Sequence, residues 1–265
     1  MTETELLFTE VLNCDRLSLY LNKEALLDKE NSTFISCVLK RRISAEPIQY
    51  ILGKAEFMGL EFKVTPDVLI PRPETEILVE TGIKYVSGIG CQVSGKNILD
   101  IGTGSGCIAV SLAKLLPSAK VIATEISEKA LELARCNAGL NNVAENIRFI
   151  KSDLFICNVL RTTRYDLIIS NPPYIPSAVI DKLQPELQYE PRFALDGGKD
   201  GLDFYRRIIK DAPEYLKRGG LLILEIGFKQ RKKIENIFKN SGKFEIIEVV
   251  KDYNNIDRVI VTRIM

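Results

Sequence analysis

Asn97-Ile-Leu-Asp-Ile-Gly-Thr-Gly-Ser-Gly106 decides how this chain is read. Its first five residues, 97–101, form an apolar run of the length of one buried strand. Glycines at 102, 104 and 106 then allow a tight turn and a close backbone approach to a ligand. The spacing is G-x-G-x-G, not the G-x-G-x-x-G of dinucleotide sites. No Lys-Ser/Thr follows, so this is not a P-loop either. A glycine-rich turn from strand to helix points to a nucleotide-like ligand touching Gly102, Thr103, Gly104, Ser105 and Gly106.

Strands and helices alternate outward from this stretch. Residues 105–116 read as a helix stopped by Pro117, 120–125 as strand two, 127–140 as a helix, and 147–150 as strand three. Residues 165–170 read as strand four. A helix over 202–217 is expected to end at Arg218-Gly-Gly220, ahead of strand five at 221–225 and a helix over 228–240. Two final strands, 244–251 and 257–263, meet at a turn around Asn254-Asn255. The series argues an α/β fold with a doubly wound, seven-stranded, mainly parallel sheet and an antiparallel edge.

Two acids fall where such a sheet binds ligands. Glu125 ends strand two, where a carboxylate can accept both hydrogen bonds of a ribose diol. Asp153 and Leu154 follow strand three, placed to flank an adenine as a polar acceptor and an apolar wall.

Strand four ends in Asn171-Pro-Pro-Tyr174. Neither proline can donate to a ladder, so the strand stops and holds an amide and an aromatic ring at its carboxyl end. If strands one and four are neighbours, Asn171 and the glycine turn open into one crevice. An amide nitrogen is a poor nucleophile, because its lone pair is delocalised into the carbonyl. A site that alkylates it must hold its hydrogens and aim that lone pair. The Asn171 side-chain oxygen can accept one hydrogen and the Pro172 carbonyl the other, and Tyr174 can stack on a planar group. Pro173, like Pro172, offers no competing N–H.

Residues 1 to about 50 carry helical apolar spacings at Leu6, Leu7, Val11 and Leu12, and at Phe34, Ile35, Val38 and Leu39. Ser32 is a candidate N-cap for the second helix. Lys40-Arg41-Arg42 reads as a solvated face complementing the helix dipole. Residues 56–64 suggest a β-hairpin around Gly59, and Leu69-Ile-Pro-Arg-Pro-Glu-Thr-Glu76 a stiff connector whose Pro73 opens a helix. The stretch Ser87–Gly95 is the expected domain boundary. Three parts follow: a helical, substrate-recognition domain over 1–54, a hairpin and connector over 55–94, and a catalytic domain over 95–265.

A formal net charge of +1 advertises no nucleic acid. No apolar run approaches the length of a membrane span and the first residues are acidic, which predicts a soluble, cytoplasmic protein with no membrane partner. The six cysteines lack any C-x-x-C pair and are expected to be reduced and mostly buried; with no histidine, no metal site is expected. The missing histidine also excludes Ser-His and Cys-His catalysis and leaves chemistry mainly to positioning and electrostatics, or to carboxylates and tyrosines.

The glycine turn with Asn171-Pro-Pro-Tyr174 resembles the class I S-adenosylmethionine-dependent methyltransferases, whose fold is Rossmann-like. Glu46-Pro-Ile-Gln-Tyr50, Leu69–Glu76, Ile98–Gly106, Ser170–Ile175 and Glu190-Pro-Arg-Phe-Ala-Leu195 together closely resemble the PrmC/HemK family of release factor glutamine N(5)-methyltransferases. The resemblance implies S-adenosyl-L-methionine as cofactor, S-adenosyl-L-homocysteine as product, and class 1 peptide chain release factors as protein substrate. It implies that residues 102–106, Glu125, Asp153, Leu154 and Asn171 bind the cofactor. Asn171, Pro172, Pro173 and Tyr174 then hold the glutamine amide, with Asn171, Pro172 and Tyr174 catalytic. The chain departs at Leu154, where relatives often carry an aromatic residue, and at Glu125, where they often carry Asp. Arg72 falls on the implied rim, as substrate contact or salt bridge, and Glu225 at the end of strand five reads as structural. The alternative reading is an adenine amino-methyltransferase acting on DNA or RNA, which predicts a basic face. A third is a non-catalytic cofactor-binding module.

Overall fold

The computed structural model describes residues 2–21, 27–88 and 95–265. Residues 89–94, the middle of the expected domain boundary and the location of Cys91, lie outside the described residues. The chain opens with helices α1 (Glu3–Val11), α2 (Arg16–Leu21), α3 (Lys29–Ile43) and α4 (Ile48–Leu52). Leu7, Val38 and Ile48 form their small core. Thr2 and Glu5 close a capping box on α1. The cap of α3 is Asp28, not Ser32: Asp28 accepts from the Asn31 N–H, and Ser32 sits inside the first turn, bonded to the Asp28 carbonyl. An aspartate one turn earlier caps as well as serine and adds a charge that favours the helix start. Arg41 pairs with Glu46, and Arg42 with Glu3 and Glu186. Together they form a paired, half-solvated face.

Strands β1 (Lys54–Phe57) and β2 (Leu60–Lys63) form the expected hairpin, and α5 (Pro73–Val86) begins at Pro73. Then come β3 (Asn97–Ile101), α6 (Cys107–Leu115), β4 (Lys120–Glu125), α7 (Glu128–Leu140), β5 (Ile147–Lys151) and β6 (Tyr165–Ser170). Two short helices, α8 (Ser177–Ile180) and α9 (Arg192–Leu195), follow within a long loop. The chain closes with α10 (Asp203–Asp211), β7 (Leu216–Glu225), α11 (Arg231–Ser241), β8 (Phe244–Lys251) and β9 (Asp257–Ile264).

The helix expected to reach residue 217 stops at Asp211. Pro213 lacks an N–H and forces a single 3-10 turn over Ala212–Glu214. Gly219-Gly220 lies inside β7 instead of ending a helix, opposite a register shift between Tyr165 and Leu167 of β6. The last helix also starts later than expected, at Arg231.

Sheet order is β5-β4-β3-β6-β7-β9-β8. The first five strands in that order run parallel, and β9 is antiparallel to both its neighbours. The period of two divides each strand between two cores. Ile98, Leu167, Ile169, Leu221 and Ile223 face α5 and α6. Leu99, Ile168, Leu222 and Leu224 face α10 and α11. Burial on both faces is why these strands are continuous apolar runs. The chain reverses its order between β3 and β6, so a crevice opens beyond their carboxyl ends.

The hairpin docks on α7 through two asparagines: Asn141, at the end of the helix, donates to the Glu61 carbonyl (2.9 Å), and Asn137 holds Lys63. Asn137 is fully buried, accepts from the Lys63 N–H (2.7 Å), and donates to the Lys63 carbonyl (3.0 Å) and to the Ser105 carbonyl of the glycine turn (2.8 Å). The expectation of mostly buried thiols fails among the described residues. Only Cys107 is buried; Cys37 and Cys136 sit on solvent-facing sides of α3 and α7, and Cys14 and Cys157 are half-buried. No helix of the described residues is long and apolar enough to cross a membrane.

Candidate active site

A cleft of about 260 Å³ lies at the carboxyl ends of β3, β4, β5 and β6. Its floor is the glycine turn. The N–H groups of Gly102 and Thr103 both donate to the Thr124 carbonyl (2.8 and 2.9 Å), which folds the turn back over β4. Asp100 accepts from the Thr103 hydroxyl at 2.6 Å and braces the turn from below. Gly102 and Gly104 have φ of +71° and +54°, and a Cβ on either would meet no atom within 4 Å. Open space above a left-handed backbone is a cradle a ligand can approach. Gly106 serves packing instead: a Cβ there would lie 3.0 Å from that of Ala134.

Glu125 stands at the edge of this cradle. One carboxylate oxygen accepts from the Gly104 N–H (3.1 Å), the other from the N–H groups of Ile126 (2.7 Å) and Ser127 (3.0 Å). The acid is thereby aimed at the mouth before any ligand arrives. Asp153 reaches the cleft from the turn after β5 and is bonded to the Arg207 guanidinium of α10 at 2.7 Å. Leu154 is buried in the wall, with φ of +51°, its carbonyl accepting from Ser152 at 3.0 Å. Phe204 and Arg207 of α10 face the same space, an aromatic and cationic wall that sequence reasoning did not find. Only the sheet's reversal brings α10 there.

Asn171, Pro172 and Pro173 form the opposite wall. The β3–β6 pairing sets Ser170 beside Ile101, and the Ser170 hydroxyl donates to the Ile101 carbonyl at 2.7 Å. Glycine turn and Asn171 therefore do open into one crevice. The Asn171 amide donates to the Thr75 hydroxyl (3.1 Å), which donates to the Glu225 carboxylate (2.8 Å). Among the described residues no backbone N–H donates to the Pro172 carbonyl. Tyr174 is in the same loop but not in the cleft wall. Its ring lies against Gly227, its carbonyl accepts from Gln230 at 2.8 Å, and burial pushes its phenol up to about 12.

The connector before α5 closes the third side with Val68, Leu69, Pro71 and Arg72. Arg72 pairs with the buried Glu190, tying the connector to the segment that brings Phe193 and Ala194 to the cleft. Of the two roles open to Arg72, the ion pair is formed. Two acids nearby are fully buried: desolvation, against the Thr103 hydrogen bond, raises Asp100 to about 7, and desolvation, against the Thr75 hydrogen bond, raises Glu225 to about 7.

Residues 1–53 match the PrmC N-terminal domain family and residues 79–184 the methyltransferase small domain family. Among solved structures the fold is similar to a methyltransferase from Pyrococcus furiosus (TM-score 0.57, 23% identity, 89% of this chain and 98% of that one). It is also similar to the hMettl16 catalytic domain (TM-score 0.61, 21% identity, 78% and 75%). Both likenesses support a class I methyltransferase fold. The chain is 46% identical over 263 residues to the release factor glutamine methyltransferase of Geobacter sulfurreducens, covering 99% of this chain and 89% of that protein. It is 43% identical over 260 residues to that of Thermodesulfovibrio yellowstonii, covering 98% and 91%. With that identity along nearly its whole length, the chain belongs to the release factor glutamine methyltransferase family.

Proposed function

We propose that the protein methylates the side-chain amide nitrogen of the glutamine in the Gly-Gly-Gln motif of class 1 peptide chain release factors. S-adenosyl-L-methionine is the donor and S-adenosyl-L-homocysteine the product. The observation that carries the reading is that Asn171 and Pro172 line one cleft with the glycine turn. Family membership supplies the substrate.

The cradle fits the cofactor. Gly102 to Gly106 receive it, Glu125 takes the ribose diol, and Asp153 with Leu154 flanks the adenine. The open space over Gly102 and Gly104 supports this assignment. When bound, the cofactor supplies an electrophilic methyl on a sulfonium.

The chain's own residues then orient the nucleophile. The Asn171 side-chain oxygen accepts one hydrogen of the glutamine amide and the Pro172 carbonyl accepts the other, so the nitrogen lone pair points into the cradle. Pro173 gives that amide an apolar surface to rest on, while Tyr174, packed against Gly227 behind the wall, holds the loop in place instead of stacking on the amide. Held over Gly102 to Gly106, S-adenosyl-L-methionine would supply its methyl to that nitrogen, and the carbon–sulfur electron pair would stay on sulfur. The methylated amide is then cationic and acidic enough to release its proton to water, which is why no histidine is needed.

Residues 1–54 act as the substrate-recognition part, 55–94 as the hairpin and connector, and 95–265 as the methyltransferase domain. Contacts from Arg42 to Glu186 (3.1 Å) and from the Tyr189 hydroxyl to the Ser44 carbonyl (2.8 Å) tie α3 to the loop that leads to Phe193 of the cleft, which supports a recognition role.

The test is labelled cofactor with a Gly-Gly-Gln release factor, followed by mass spectrometry of the glutamine. Label on that nitrogen is expected. Asn171→Ala should lower transfer by about a hundredfold or more while cofactor affinity holds. Label on nucleic acid with none on the release factor overturns the reading.

A further inference from the structure

We propose that Thr75 and Glu225 form a positioning relay that fixes which way the Asn171 side-chain amide points. This rests on the release factor reading above. Thr75 lies in the first turn of α5, Glu225 ends β7, and both are almost wholly buried behind Asn171.

The argument is proton counting. A hydroxyl has one proton to donate. Ionised Glu225 has none, so the 2.8 Å contact requires Thr75 to donate to it. Only lone pairs of the Thr75 oxygen then remain for Asn171 at 3.1 Å. The amide nitrogen of Asn171 must therefore face Thr75, since its oxygen there would set two acceptors against each other. Asn171 consequently turns its oxygen toward the cleft, where the glutamine N–H needs an acceptor. Without the relay the amide can rotate by half a turn and offer the glutamine N–H donors instead.

Glu225 is held to this task by its surroundings. The Tyr205 hydroxyl of α10 donates to its backbone carbonyl at 2.9 Å, fixing the strand end. Burial is the largest influence on its carboxyl and opposes ionisation, raising it to about 7. Arg258 of β9 and Arg72 before α5 favour the charge, and Glu74 of α5 opposes it. Tyr174 after β6, Tyr205 of α10 and Cys107 of α6 also face it. Protonated Glu225 no longer obliges Thr75 to donate, so the relay holds the amide only where Glu225 is charged.

The experiment measures kcat, KM for the release factor and cofactor affinity for the wild type, Thr75→Val, Thr75→Ser and Glu225→Gln. Valine keeps the shape and removes the hydroxyl. Thr75→Val should lose about tenfold or more in kcat with cofactor affinity within about threefold, and Thr75→Ser should restore most of it. Wild-type kcat should rise with pH through a limb that Glu225→Gln abolishes, an isosteric readout that stands if the valine variant does not fold. Thr75→Val turning over like the wild type, or an unchanged limb in Glu225→Gln, overturns the relay alone. A wild-type enzyme that leaves the release factor unmethylated overturns the reading and the relay together.

Discussion

Asp100 is fully buried beneath the glycine turn, with one carboxyl oxygen on Thr103 and the other without a hydrogen-bond partner among the described residues. Its carboxyl is raised from 3.8 to about 7, so the folded state binds this proton more tightly than the unfolded chain does. The resulting stabilisation is complete below about pH 4, is lost as pH rises toward about 7, and is flat above that. Glu225 follows the same sign in the same window. Glu5, lowered to about 2 first by Tyr20 and then by the Thr2 N–H, has the opposite sign, and its contribution is lost only as pH falls below the usual glutamate range. The two windows meet only between pH 3.8 and 4.5. The melting temperature of Asp100→Asn minus that of the wild type should therefore grow between about pH 4 and 7 and level off above. Calorimetry across that range reads it, and a constant difference would mean that Asp100 does not titrate there. A residue can be read from sequence when its partner is close in the chain. Glu125 ends a strand and Gly102 and Asn171 directly follow one, and their neighbours alone announce them. Thr75 cannot be found that way, because its partners lie 96 and 150 residues off.

Helix α7 illustrates what elements do for the site. Its buried Asn137 bonds the hairpin on one side and the glycine turn on the other, so one side chain sets the turn and the hairpin relative to each other. Removing it leaves the Ser105 carbonyl unpaired in the interior, at about 1–3 kcal/mol, and the part-buried Lys63 groups without their partner. Asn137→Ala should cost about 2–4 kcal/mol of stability in urea unfolding and weaken the cofactor, because the turn loosens. A loss of under about 0.5 kcal/mol would show that the hairpin docks by its aromatic pair Phe57 and Phe62 instead. Elements were legible where periodicity and breakers agree, as in six of the seven strands of the sheet, β7 being the exception at its start. They were not legible where a breaker has two meanings. Gly219-Gly220 reads as a helix stop, yet Pro213 had already ended the helix and the glycines serve a strand irregularity. Ser32 looked like a cap because Asp28, a turn earlier, competes for the same role by the same chemistry.

At the scale of the whole molecule, electrostatics separates a protein substrate from a nucleobase. The formal net charge is +1, and the cations near the cleft are spent on local acids. Arg72 is paired with Glu190, Arg207 with Asp153, Arg192 with Asp181, Arg206 with Asp200, and Arg42 with Glu3 and Glu186. A paired guanidinium offers little to a phosphate, since releasing it costs the pair it leaves. An enzyme that worked on DNA or RNA would need a continuous basic track beside the cleft, and its affinity would fall steeply with salt. Fluorescence anisotropy with a labelled single-stranded oligonucleotide tests this. Binding weaker than about 100 µM is expected at about 0.15 M salt, the weak end of ordinary non-specific affinity. The release factor should meanwhile be methylated at the same salt. Micromolar or tighter oligonucleotide binding, with a salt slope of several charges, would favour the alternative, adenine amino-methyltransferase reading. The paired arginines would then have to exchange partners when the nucleic acid arrives.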